Sequence, residues 1–362
     1  MRVVYSPRYA VDIGPHVFPT LKYRMVHDRL IRPGVDFTEP QPAAWEQLAL
    51  VHTPEYLGKM RDGTMSPEDI AELELPWSAA MVEAFRLMVG GTIEAAGIAC
   101  GFTANDQTQR PRSTQSQEFS AASAISAFHV VCHIGGGLHH AFPNHGEGFC
   151  PFNDVAVATR VMQARGIERV AIVDLDVHHG NGTAFIFNPR GASSPPPRQT
   201  RSHGGPRAYS QQDVADEHVF TFSMHHQHNY PMWKPRGSLD IGLADGTGDA
   251  AYLAELTRAL PNVMASRPQC VFYLAGADPY EDDQLGGLRL TREGLRERDR
   301  LVIETVRAAG VPLVIVLAGG YARRVEDTVA IHVATIEEAL NAAAKARNSI
   351  RATKARRHEE DA

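Results

Sequence analysis

Five short apolar runs constrain this chain more than any other feature. They are "SAFHVVCHIGGG", "RVAIVDLDV", "HVFTFSMHH", "QCVFYLAGAD" and "VPLVIVLAGGY", flanked by glycine or turn residues. Among them lie segments with helical spacing: "NDVAVATRVMQARG", "DAAYLAELTRALPNVMASR" and "TREGLRERDRLVIETVRAAG". Alternation of strands this apolar with helices predicts a mainly parallel sheet covered by helices on both faces. The expected fold class is therefore α/β, one three-layer α/β/α domain. "RVVYS" near the start adds a further strand, and residues 79–99 a long helix with small residues for close packing.

Composition sets the outer limits. The 362 residues are 43% hydrophobic and 22% charged, an ordinary globular mixture. This length permits one large α/β unit with a sizeable core. A formal net charge of -6 calls for neither nucleic acid nor an anionic membrane as partner. Cys100, Cys132, Cys150 and Cys270 form no CxxC pair and read as reduced, mostly buried thiols of a cytoplasmic protein. The start, "MRVVYSPRYA", lacks the apolar core of a signal peptide, and no run approaches the roughly 20 apolar residues of a membrane span. Residues 103–120 and 189–216, rich in polar residues, Ser, Pro and Gly, read as solvated insertions in a domain spanning residues 1–340. Residues 341–362 read as a helix end frayed into a charged tail.

Ligands of open parallel sheets bind beyond the carboxyl ends of the strands. Four runs end in reactive residues: His139 and His140; Asp174, Asp176 and His178; Asp278; and Tyr321. In "VDLDVHHGNG" the spacing i, i+2, i+4 puts Asp174, Asp176 and His178 on one side if the strand persists. Asp176, His178 and Asp278 together offer two carboxylates and an imidazole. That set suits a borderline divalent cation such as zinc, with a position left open for water. Each residue also has a plainer reading. The aspartates cap the next helix, His178 packs, the histidine pair faces solvent, and Tyr321 fills core while making one hydrogen bond. Four chemically matched strand ends weigh against the plainer reading.

At these residues the sequence resembles the histone deacetylase family, within the arginase–deacetylase fold, and looks closest to its bacterial and class IV-like branch. The matching stretches are "HTPEYL", "GGGLHHAFPNHGEGFCPFNDVAVA", "VDLDVHHGNGT", "VFTFSMH", "LDIGLADGTGD", "YLAGADPYEDDQLGGL" and "AGGYARR", in the family's order. The resemblance implies a zinc-dependent amidohydrolase acting on acetyl-lysine or a related acylated amine, with iron(II) as the alternative metal. By motif match Asp176, His178 and Asp278 are the metal ligands, His140 is the general base, and His139 is its partner, held by Asp174. Tyr321 donates to the acyl carbonyl and the oxyanion. A monovalent cation, K+ or Na+, is implied at Asp174, the backbone carbonyls of Asp176, His178 and Met224, and nearby Ser223. Gly148 and Phe149 match one wall of an acyl-lysine channel, and Tyr230 is a candidate for the other.

Departures from the family pattern matter as well. Asn181 stands where some branches carry an aspartate, so it orients His140 without adding negative charge. His179 is left a structural role, and no residue matches the rim aspartate of many relatives. Acetylated protein, acetylpolyamine and small acylated metabolites are the expected substrates. Glu281, Asp282 and Asp283 favour cationic ones if they line the rim. Arginase-like hydrolysis is the weaker alternative, because this chain supplies ligands for one metal. A non-catalytic acyl-lysine binder has no need of both histidines and Tyr321.

Overall fold

The computed structural model describes residues 1–102, 129–188 and 216–360. The expected insertion at 103–120, and all but Asp216 of that at 189–216, lie outside the described residues. Eight strands form one sheet: β1 (Arg2–Val4), β2 (Asp36–Thr38), β3 (Val130–His133), β4 (Val170–Asp174), β5 (Val219–His226), β6 (Leu239–Leu243), β7 (Cys270–Leu274) and β8 (Leu313–Val316). Every neighbouring pair is parallel, in the order β2-β1-β3-β8-β7-β4-β5-β6. Strands β3, β4, β7 and β8 are buried at every position, which is why they read as unbroken apolar runs. The edge strands β2 and β6 are only partly buried, so no apolar run marks them in the sequence.

Helices α1 (Lys22–Leu30), α2 (Trp45–Leu48), α3 (Pro54–Asp62), α4 (Pro67–Leu73) and α5 (Ala79–Ala99) precede β3. After it come α6 (Asp154–Ala164), α7 (Asn181–Phe187), α8 (Asp249–Ala265), α9 (Arg292–Ala308) and α10 (Val325–Glu360). Helix α5 packs on α6 and on β3, while α1, α8, α9 and α10 form a second group in which neighbours touch. The sheet lies between the helices, giving the three layers of the arginase–deacetylase fold. No helix among the described residues is long and apolar enough to cross a membrane.

The last helix corrects one expectation. The backbone stays helical to Glu360 instead of fraying near Ala342. Ala, Arg and Lys dominate residues 341–357, and all three are strong helix formers whatever their charge.

Candidate active site

The reactive strand ends meet at the carboxyl edge of the sheet, and their own carboxylates tie them together. Beyond β4, the Asp176 N–H donates to Asp174 Oδ1 at 3.2 Å. The Gly319 N–H, beyond β8, donates to Asp176 Oδ2 at 2.7 Å. The Val177 N–H donates to Asp278 Oδ1, beyond β7, at 2.9 Å. This leaves Asp176 Oδ1 at 3.0 Å and Asp278 Oδ2 at 3.3 Å from His178 Nδ1. A Cβ on Gly319 would overlap both Asp278 Oδ2 and Asp176 Oδ2, so only glycine lets the third strand end close over the pair.

These three side chains fit a divalent cation. Their ligating atoms lie within 4.8 Å of one another, all three residues are buried, and Asp278 Oδ2 has no well-formed hydrogen bond. Two buried carboxylates on one imidazole carry excess negative charge that the interior tolerates only with a cation. Burial lowers the His178 pKa, but bonds to Asp176 and Asp278 more than reverse this and bring it to about 10. Burial and the Asp176 charge lift the Asp278 carboxyl to about 7. A proton is thus held where two carboxylate oxygens and a nitrogen converge. His178 Nε2 faces the Leu285 carbonyl at 3.3 Å, an outer partner of the kind that orients a ligating imidazole.

The histidine pair follows the glycine run after β3. Asp154 of α6 anchors that run, accepting from the Gly137 N–H at 3.1 Å and the Leu138 N–H at 2.7 Å. His139 Nδ1 lies 2.7 Å from Asp174 Oδ2, and His140 Nδ1 lies 2.7 Å from Asn181 Oδ1. The two Nε2 atoms are 3.1 Å apart. Asn181 Nδ2 donates to Glu147 Oε1 at 2.7 Å, so its amide oxygen is the end that faces His140. An amide oxygen only accepts, so His140 Nδ1 carries the hydrogen and Nε2 presents a lone pair. Burial opposes charge on both rings. Asp174 and Asp176 overcome it at His139, raising its pKa to about 9. At His140 burial is joined by repulsion from His139 and His178, which holds it well below the ordinary range.

Tyr321 completes the constellation from the end of β8. Its N–H donates to Asp283 Oδ2 at 2.6 Å, and its ring lies 6.4 Å from His178 and 5.9 Å from Phe149. Burial, reinforced by Asp176 and Asp278, keeps the phenol protonated. Phe149, Tyr321, Phe18 and Tyr23 wall a narrow pocket with both histidines, Asp176 and His178 along it. Phe149 holds a φ of 66°, an uncommon conformation for an aromatic residue. Bonds from the Gly148 and Phe149 N–H groups to the Glu72 and Leu73 carbonyls of α4 maintain it. The Tyr230 ring stands 5.0 Å from His140, with Gly148 wedged between them.

Other expected residues fall nearby with different partners. Ser223 pairs in register with Asp174, but its hydroxyl contacts His225 Nδ1 at 3.0 Å, and both Asp174 oxygens accept bonds. Met224 is the next residue of β5. His179 turns to Asp240 of β6, 3.3 Å away. Asp283 is taken up by the Leu285, Gly286 and Tyr321 N–H groups, and Asp282 pairs with Arg323, so the acidic run presents less charge than the sequence suggests. Two residues at the site carry no sequence signal. Lys22 is fully buried, with Nζ donating to the Ala318 carbonyl at 3.0 Å. Burial takes its pKa to about 8 against the pull of Asp278, Asp176 and Asp283. Glu147 holds Asn181 and also accepts from the Tyr230 hydroxyl at 2.9 Å.

Known proteins share this arrangement of sequence and fold. Residues 16–336 match the histone deacetylase domain. An uncharacterized protein of Picosynechococcus sp. is 39% identical over 337 residues, covering 91% of this chain and 95% of that one. Histone deacetylase 2 of Arabidopsis thaliana is 28% identical over 353 residues, covering 90% and 77%. Among solved structures, an acetylpolyamine aminohydrolase from Burkholderia pseudomallei superposes with a TM-score of 0.67 at 19% identity, covering 93% of this chain and 98% of that one. The fold is thus shared at low sequence identity. The domain match extends from before α1 into α10, and the chain belongs to the histone deacetylase family.

Proposed function

We propose that this hydrolase is zinc-dependent and removes acetyl groups from acetyl-lysine or a related acylated amine. The observation that carries the reading is the neutral, lone-pair-bearing His140 beside the Asp176–His178–Asp278 cradle. When bound there, zinc supplies water of lowered pKa and polarisation of the acyl carbonyl. His140 Nε2 takes the proton of the attacking water while Asn181 Oδ1 accepts its Nδ1–H. His139, charged and paired with Asp174, stabilises the site as negative charge develops. The Tyr321 hydroxyl donates to the acyl oxygen, and His140 then passes its proton to the departing amine. Iron(II) suits the same donors. K+ or Na+ beside Asp174 and Ser223 remains a structural expectation on which no step depends.

Phe149 and Tyr230 are proposed as the walls of the substrate channel, with Gly148 permitting the approach of Tyr230 to His140. The cysteines, all four free, accord with a cytoplasmic setting. The decisive experiment measures kcat/KM on an acetyl-lysine peptide and on an acetylpolyamine, before and after chelation. Turnover that chelation stops and zinc restores is the expected result, and the ratio of the two values assigns the substrate. A chain that releases no acetate from either, with zinc or iron(II) added, refutes the reading.

A further inference from the structure

A second cluster of ligating atoms lies on the far side of Asn181 from His140. His145, Glu147 and Glu72 bring one imidazole nitrogen and two carboxylate groups together. His145 Nε2 is 3.5 Å from Glu147 Oε2 and 3.8 Å from Glu72 Oε1. The imidazole is 4% exposed, and its Nε2 has no hydrogen bond. The other ring nitrogen is committed: Nδ1 lies 2.8 Å from Asn144 Oδ1. Nδ1 therefore faces an acceptor, and Nε2 is left between two carboxylates with no hydrogen bond of its own. Two carboxylates converge on that unbonded nitrogen, an arrangement that a shared cation would complete.

Each group is also held in place from behind. The His145 ring stacks on Phe142 at 4.6 Å and 7°. Glu147 Oε1 accepts from Asn181 Nδ2 and the Tyr230 hydroxyl, which leaves Oε2 facing His145. Glu72 sits in the last turn of α4, whose carbonyls fix the loop carrying Glu147. Outer partners of this kind orient metal ligands. The separations are too long for hydrogen bonds, yet donors about 2.1 Å from a shared tetrahedral ion lie roughly 3.4 Å apart.

We propose that His145 Nε2, Glu147 Oε2 and Glu72 Oε1 form a second divalent-cation site, with water completing the coordination. One nitrogen and two carboxylate oxygens suit zinc-class ions. The site shares no ligand with the Asp176–His178–Asp278 cradle, and it stands whether or not the chain deacetylates. It adjoins the candidate active site through Glu147, whose second oxygen it uses, and through the Glu72 carbonyl that accepts the Gly148 N–H.

Equilibrium dialysis of the full-length, metal-stripped chain against micromolar zinc, with metal counted by atomic emission, tests this. Two equivalents per chain are expected for the wild type. His145→Gln and Glu72→Gln should each retain one, Asp176→Asn should retain one, and Asp176→Asn with Glu72→Gln should retain none. The Glu72 side chain is 26% exposed, so Glu72→Gln keeps the fold even if His145→Gln does not; circular dichroism checks both. One equivalent in the wild type with none in Asp176→Asn would overturn the proposal. So would two equivalents retained by both His145→Gln and Glu72→Gln. Loss of deacetylation with the two-equivalent count intact would sink the enzymatic reading and leave this one standing.

Discussion

Tyr321 and His140 face the same small space with opposite tasks, and their surroundings push them apart to suit. The buried phenol stays a donor, while the crowded imidazole stays an acceptor. Tyr321→Phe removes one hydroxyl and no packing, so kcat should fall about 10²–10³-fold with KM little changed. A steady-state comparison on one substrate checks this, with thermal melting as the control for folding. Asn181 offers a finer test. Asn181→Asp adds a carboxylate beside His140 and should raise the acidic pKa of the kcat/KM profile. It also puts that carboxylate against Glu147, 2.7 Å from the present amide nitrogen. Asn181→Asp should therefore melt lower than the wild type, and adding Glu147→Gln should recover the loss. An unmoved profile would mean that this side chain does not tune His140.

At the scale of elements, the site is a product of strand ends. Asp176 and Asp278 serve as the cross-braces of β4, β7 and β8 before they serve any ligand. Gly319→Ala should accordingly abolish metal uptake at the cradle and turnover together, since the new methyl falls on both carboxylates. Metal content of the purified variant reads this directly; a variant that keeps cradle metal and activity refutes the account. The same economy explains what is legible in the sequence. Apolar runs ending in Asp, His or Tyr announce both the strands and the cradle, because burial dictates the run and chemistry dictates its end. The walls and supports are not announced. Phe18 and Tyr230 come from loops, where no periodicity operates. Lys22 opens α1 and reads as a surface cation, yet tertiary packing buries it completely. Glu147 reads as one more loop acid until Asn181 and Tyr230 are found on it.

Across the whole molecule, buried histidines link stability to pH. His52, between α2 and α3, meets the Phe142 carbonyl with Nδ1 at 3.0 Å and accepts the Asn153 N–H with Nε2 at 3.1 Å. The bond at Nε2 requires the neutral ring, because a protonated Nε2 cannot accept. Burial lowers its pKa from 6.5 to about 4, so the unfolded chain binds this proton more tightly than the folded one. The stabilisation is complete above pH 6.5 and is lost as pH falls towards 4, amounting to about 3 kcal/mol. Urea unfolding should show a falling midpoint between pH 7 and pH 5, with a shallower fall in His52→Asn. An equal slope in the two proteins would remove His52 from the account. His133, lowered to about 3 by burial, acts in the same direction.

The strand order has a consequence for how the chain is made. β8 is the last strand among the described residues, yet it lies between β3 and β7 near the middle of the sheet. Until it inserts, β2-β1-β3 and β7-β4-β5-β6 are two separate ribbons, each with an unsatisfied edge. Gly319 and Tyr321 arrive only with that strand, so the cradle is unfinished on any shorter nascent chain. The final insertion thus acts as a keystone. A ribosome-bound chain lacking it offers open sheet edges to chaperones or to aggregation, and the proposed site stays incomplete until β8 has emerged.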